Sequence, residues 1–399
     1  MRLTTPGIPR TVWALGLVSL FMDMSSELVH AVLPIYLTTV LGVSVLGVGI
    51  IEGIAEATAS VLKALSGYGA DRWRRRKPLA LLGYGLSALT KPWFPLADGA
   101  AGVVAARFID RIGKGIRGAP RDALVADVTP PALRDAAYGL RQSLDTVGAF
   151  AGPLLAMFFL WLWAGDLRQV LWVATLPALV AVAVLAFGVQ EPDDPVPTKA
   201  AGTAGHLATP HWTGVRALPL SYWRVVGLGA LFALARLSEA FLVLRAQADA
   251  LPLVAIPLVM IVMSVVYAAS SYPAGLLAAQ HGRRLPLGLS LAVLVVAELA
   301  LGLWPGAGGL WLGVALWGLH MGLSQGGLTA AVSDHAPAAL RATGFGLFHL
   351  ATGAAQLAGG AAAGWWWSRH GSAAAFCSGA VWAVLAAVVL VSLPKDTAK

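Results

Sequence analysis

The stretch "SLFMDMSSELVHAVLP", Ser19 to Pro34, sets two carboxylic acids and an imidazole inside an apolar run. Asp23, Glu27 and His30 are spaced by four and three residues, so on a helix they share one face. A low-dielectric cavity disfavours the charged form of a carboxyl. Such a group can take up a proton on one side of a barrier and release it on the other. The same acids could bind a cationic substrate in competition with the proton. Joined by Glu52 or Glu56, the face also offers hard-to-borderline ligands for a divalent ion. The plainest reading is that the acids only pair with Lys63, Arg107 or Arg111.

The other charges obey the same spacing. Glu52, Glu56 and Lys63 fall on one stripe, and Arg107, Asp110, Arg111 and Lys114 on another. Arg141 and Asp145 are one turn apart. A charge in the middle of a membrane span costs about 2.5 kcal/mol or more, so these groups should pair or face a wet cavity. The expected partners are Asp110 with Arg141, and Asp145 with Arg107 or Arg111, in a structural network that also switches. The second half is sparser: Arg236, Glu239, Glu298, His320 and His349. Glu239 should be salt-bridged to Arg236, one turn away. Trp317, beside His320, could stack on an organic cation, and Gln325 is a further polar candidate for the cavity. This imbalance suggests that the first half handles protons while the second shapes the substrate pocket.

The elements that must hold these residues are membrane helices. The chain is 58% hydrophobic and 12% charged, about half the charge of a soluble domain. A soluble surface cannot be built from it. Apolar runs long enough to cross a bilayer recur at 12–39, 45–68, 78–97, 100–120, 133–162, 168–188, 221–246, 251–279, 285–304, 308–332, 340–366 and 372–393. The first run is too long for a signal peptide. The single cysteine, Cys377, excludes an internal disulfide framework. The reading is an all-α polytopic membrane protein with twelve transmembrane helices in two six-helix, pseudo-symmetric bundles.

Between the bundles lies "QEPDDPVPTKAAGTAGHLATPHWTGVRALPL", residues 190–220, Pro-rich and polar as linkers are. The domains are therefore 1–189, a linker at 190–220, and 221–399. The net charge of +8 reflects basic residues gathered in alternate short loops rather than a nucleic-acid surface. By the positive-inside rule both termini and the linker are cytoplasmic, in a multi-pass protein of the inner membrane.

The halves repeat each other. "DVTPPALRDAAYGL" at Asp127–Leu140 matches "DHAPAALRATGFGL" at Asp334–Leu347, and "GADRWRRRKP" at Gly69–Pro78 echoes "LAAQHGRRLP" at Leu277–Pro286. Ser26-Glu27 falls on Ser238-Glu239. Parallel repeats place a pseudo-twofold axis along the membrane normal, and transporter substrate sites lie at such repeat interfaces near the midplane.

These motifs resemble the major facilitator superfamily (MFS). "GYGADRWRRRKP" is similar to the family's loop between spans two and three, with Asp71 and Arg72 matching its Asp-Arg core and Arg75 and Arg76 its basic tail. An arginine stands where Arg107 does, and "GAFAGP", with Gly148, Gly152 and Pro153, matches the Gly-x-x-x-Gly-Pro signature of span five, commonest in proton-driven exporters. "RFIDRIGKGIRGAPRDALVAD" is similar to a bacterial permease subgroup. The resemblance implies a monomeric secondary transporter that exports a small organic, cationic or amphipathic compound against protons by alternating access. Efflux of a divalent metal or its chelate, and a non-transporting receptor or lipid-handling role, are the alternatives. Physically, Asp71 can cap a helix and pair with an arginine as a gating latch. The small residues let span five approach a neighbour and bend. No nucleotide-binding Gly-x-x-x-x-Gly-Lys motif is present. No cofactor, no resident metal and no enzymatic activity are expected; the partners are substrate, protons and lipid.

Overall fold

Twelve helical spans follow one another among the described residues, which are 8–73, 76–130, 133–191, 218–324, 327–337 and 340–392 of this computed structural model. They are α1 (Arg10–Ile35, winding on to Val40), α2 (Val45–Trp73), α3 (Arg76–Leu96), α4 (Ala100–Val128), α5 (Arg134–Leu162), and α6 (Leu167–Val173 continued by Thr175–Ala183). The second set is α7 (Leu220–Ala235 and Glu239–Ala248), α8 (Leu258–His281), α9 (Arg284–Leu303), α10 (Ala307–Ser324 and Gly327–His335), α11 (Arg341–His370) and α12 (Ser372–Ser392). Most of the expected linker, 192–217, lies outside the described residues.

Eight of these helices are long and apolar enough to cross a membrane by themselves. The fourth span is not among them, because Arg107, Asp110, Arg111, Lys114 and Arg117 ride on it. Its charges are instead turned inward: Arg107, Asp110, Arg111 and Arg117 are all buried. Among the described residues two expected spans are interrupted. Residues 236–238 break α7, and Ala174 interrupts α6. Broken spans are tolerated where side chains replace the lost backbone bonds. Ser25 Oγ donates to the Ala174 carbonyl at 2.7 Å. Where α1 widens after Pro34, Thr38 Oγ1 and Thr39 Oγ1 donate to the carbonyls of Pro34 and Ile35 at 3.1 and 2.7 Å.

Within the first half, α1 lies against α5. The small residues of the span-five signature are what permit this: a Cβ on Gly148 would stand 2.2 Å from the Leu20 carbonyl oxygen.

Between the halves, α2 packs on α11, α5 on α8 and α1 on α7. Contact is tightest on the side away from the chain termini. There a Cβ on Gly49 would meet the Gly360 carbonyl oxygen at 2.2 Å, and Thr38 Oγ1 donates to Gln247 Oε1 at 3.4 Å. On the terminus side Lys63 of α2 and Lys114 of α4 are exposed. The space between the halves is thus sealed at one end and reached from the other.

Candidate functional site

That space is a cavity of about 180 Å³. The first half contributes Glu27 and His30 from α1, Glu52 and Glu56 from α2, and Arg107 and Lys114 from α4. The second half contributes Arg236, Ser238 and Glu239 from the break in α7, Met260 from α8 and Gln356 from α11.

The break is locally encoded. Arg236 takes an extended conformation (φ −83°, ψ 98°) that ends the first segment. Ser238 restarts the helix, its hydroxyl accepting from the Ala240 N–H at 3.3 Å as an N-cap. Glu239 is then in the first turn, where a negative charge suits the helix dipole. The N-terminus of a ten-residue half-helix therefore faces the cavity, as in transporters with discontinuous spans.

Two ion pairs cross the wall of the first half. Arg107 Nη2 donates to Glu52 Oε2 at 2.7 Å with both groups buried. Arg111 Nη1 stands 3.0 Å from Glu56 Oε1. The same two guanidiniums reach His30 Nε2. A guanidinium only donates, so Nε2 accepts, and the ring's proton sits on Nδ1. Nδ1 faces Glu27 Oε2 at 3.9 Å.

A second cluster lies nearer the termini. The Asp23 and Asp145 carboxyls are neighbours there. Arg141 and Arg121 stand 3.6 and 3.9 Å from Asp145, and Arg121 Nη1 donates to Ser19 Oγ at 3.2 Å.

Several expected pairings are replaced. Asp110 is held by Lys91 of α3 at 2.9 Å, not by Arg141. Lys91 also donates to Ser26 Oγ at 3.3 Å. Asp145 pairs with Arg141 on its own helix and with Arg121, not with Arg107 or Arg111. The reason is depth: Arg107 and Arg111 are already engaged by α2. No ion pair joins Arg236 to Glu239, because the break sends their side chains apart from the helical register assumed for them. Glu27 is not paired with Lys63, Arg107 or Arg111 among the described residues. Lys63 is exposed and holds no acid among those residues.

The second-half candidates also move. Trp317 is fully buried, which leaves no face for a cation to stack on. His320 is buried too, with Nδ1 against Ser290 Oγ and carbonyl at 3.2 and 3.0 Å and its ring stacked on Phe232. His349 packs edge-on to Phe348 and stays off the cavity wall. Asp71 and Arg72 fall in the last turns of α2. Arg75 and Gln325 lie outside the described residues. Arg76 is bound to Asp127 of α4, and its backbone N–H donates to Glu191. Gly148, Gly152 and Pro153 are all buried, and a Cβ on Gly152 would stand 2.6 Å from the Met24 carbonyl oxygen.

Sequence reasoning missed Gln356, Ser238 and the cavity-facing position of Lys114. Gln356 sits among Gly and Ala and carries no helical charge partner to mark it. The N-cap Ser238 before Glu239 was a legible helix-start signal inside a span.

Glu27, His30 and Glu239 each bring one ligand atom within 4.8 Å of the others. The imidazole fits a metal poorly, since Nε2 is engaged by arginines and Nδ1 bears the proton.

The sequence profile described as Major Facilitator Superfamily matches residues 15–246 and 247–399. An uncharacterized MFS-type transporter of Methanocaldococcus jannaschii is 31% identical over 356 residues, 88% of this chain and 86% of that one. An uncharacterized protein of Mycobacterium bovis is 29% identical over 357 residues, 88% of this chain and 85% of its own. Among solved structures, a single-residue mutant of the nucleoside transporter NupG superposes with a TM-score of 0.79 at 15% identity, covering 96% of this chain and all (100%) of that one. A POT family transporter in complex with a thioalcohol-conjugated peptide gives 0.78 at 15% identity, covering 98% and 97%. At such identities the structural likeness speaks for the fold. With twelve spans, a repeat-interface cavity and a profile match along the chain, this protein belongs to the Major Facilitator Superfamily and is a multi-pass membrane transporter.

Proposed function

We propose that the protein is a proton-coupled antiporter of the inner membrane, with cytoplasmic termini, that exports a small polar organic compound by alternating access. The observation that supports this is the placement of Glu27 and Glu239. One comes from each half, their carboxyls meet across the cavity beside His30, and neither is held by a lysine or arginine among the described residues. A carboxyl so placed is free to exchange a proton when the cavity changes sides. The Asp23–Asp145 pair offers a second proton position between the cavity and the terminus side. The lining carries both signs, Glu27, Glu52, Glu56 and Glu239 against Arg107, Lys114 and Arg236, which suits a polar compound bearing both charges better than a simple organic cation.

A second reading, transport of a divalent ion, draws on the Glu27–His30–Glu239 geometry. It requires the ion to displace two guanidiniums from His30.

Everted vesicles carrying a pH-sensitive dye and an imposed proton gradient separate the two. Dye recovery on adding an organic solute, lost in Glu27→Gln with the protein still inserted, supports the antiporter. Recovery only with nickel, cobalt or zinc supports the second reading. Wild-type proton flux in Glu27→Gln removes that residue from the coupling.

A further inference from the structure

The charges facing the cavity divide into two classes. Glu52 is closed on Arg107, and Glu56 on Arg111. Left over are two acids, Glu27 and Glu239, and two bases, Lys114 and Arg236. All four line the cavity, and among the described residues none forms an ion pair with a lysine, arginine or carboxylate. Each half supplies one of each sign: Glu27 and Lys114 come from α1 and α4, Arg236 and Glu239 from the break in α7. The N-terminus of the Glu239–Ala248 half-helix adds a partial positive charge beside Arg236. From α11 of the same half, Gln356 Oε1 is a buried acceptor lining the cavity with no partner among the described residues.

We propose that the transported compound is a compact zwitterion, an ammonium and a carboxylate a few bonds apart, as in a free amino acid. This rests on the transporter reading above and specifies its cargo. The carboxylate lies between Lys114, Arg236 and the half-helix N-terminus. The ammonium lies at Glu27, Glu239 and Gln356 Oε1. The four free charges of the cavity sum to zero, and a net-neutral guest keeps them so. Closing the cavity over an unbalanced ion would strand a charge in low dielectric, which a zwitterion avoids. The volume of about 180 Å³ is close to that of a cavity that holds benzene, so the guest has on the order of ten non-hydrogen atoms or fewer. Because both ends of the guest touch both halves, its binding favours closure on the terminus side. Its ammonium and the proton compete for the same carboxyls, so loading the guest expels the proton to the side the guest came from. That competition is the coupling an antiporter needs.

Thermal unfolding of the purified full chain in detergent, at one fixed pH, tests the class directly. The probes are the common L-amino acids, each beside its C-terminal amide, which is a cation, and its N-acetyl derivative, which is an anion. At least one free amino acid should raise the melting temperature, and its capped forms should need roughly tenfold higher concentration or more, as loss of a charge-assisted contact implies. Arg236→Gln should let the amide bind as tightly as the free amino acid. Glu239→Gln should do the same for the N-acetyl form. A merely structural role for either residue would weaken all three ligands alike. Stabilisation by amides alone, by N-acetyl forms alone, or by no free amino acid overturns the proposal. Proton-linked flux without amino-acid stabilisation would sink the substrate class and leave the antiporter. Amino-acid stabilisation without proton-linked flux would do the reverse.

Discussion

Arg283 and Asp334 form an ion pair at the terminus-side end of the second half, and Arg76 and Asp127 form its counterpart 207 residues earlier at both ends. The two halves therefore carry the same clamp from the start of their third span to the end of their fourth. The clamp also fixes the register of the repeat: Arg283 takes the place of Arg76, one residue off the alignment of the loop sequences.

The two clamps differ in exposure, and that decides their weight. Arg76 and Asp127 side chains are 21% and 13% exposed, against 40% and 57% for Arg283 and Asp334. Exposed pairs contribute about 0–1 kcal/mol. Arg76 also donates to the Ala123 carbonyl at 2.9 Å. Arg76→Ala should lower the melting temperature measurably, while Arg283→Ala should leave it nearly unchanged. Equal losses in the two variants would contradict the ranking.

The Arg107–Glu52 pair is buried at both ends. Removing one partner strands the other, at a cost of about 3–5 kcal/mol. Glu52→Gln and Arg107→Met should each destabilise strongly, and the double variant should recover most of the loss. Additive losses in this double-mutant cycle, read by thermal unfolding, would show that the two side chains do not act together.

Lys91 and Asp110 pair in the first half, and the positions 207 residues on are Glu298 and Trp317. Among the described residues no cation sits there: both oxygens of fully buried Glu298 and the Trp317 Nε1 lack hydrogen-bond partners. An unpartnered buried polar group costs roughly 1–3 kcal/mol. Glu298→Met should therefore raise the melting temperature, whereas Lys91→Met, which orphans Asp110, should lower it. A large fall in Glu298→Met would mean that the carboxyl has a partner in the working protein.

The seal away from the termini should open during transport. Thr38 and Gln247 meet across it. With Cys377 replaced by Ser, Thr38→Cys and Gln247→Cys joined by a short bifunctional methanethiosulfonate should stop flux, and a reductant should restore it. Undiminished flux in the cross-linked protein would show that this side need not part.

The sequence alone determined twelve spans, their division into two sets and the charged faces that line their interior, because helix periodicity and hydropathy are local properties written residue by residue. It also determined that span five must approach a neighbour closely: Gly148 and Gly152 could be read as small before Leu20 and Met24 were known to lie against them. Tertiary structure alone decided who pairs with whom. Helical spacing places Asp110 on a stripe, but whether Lys91 or Arg141 faces that stripe depends on the rotation and depth of neighbouring helices. The same holds for Glu239. Its one-turn distance from Arg236 implied a salt bridge, but the break in α7 removed the helix that spacing assumed and turned Glu239 toward Glu27, a residue far away in the chain. Electrostatic pairing acts through space over a few ångströms, so its partners are set by how helices pack, and a one-dimensional pattern carries only half of each contact.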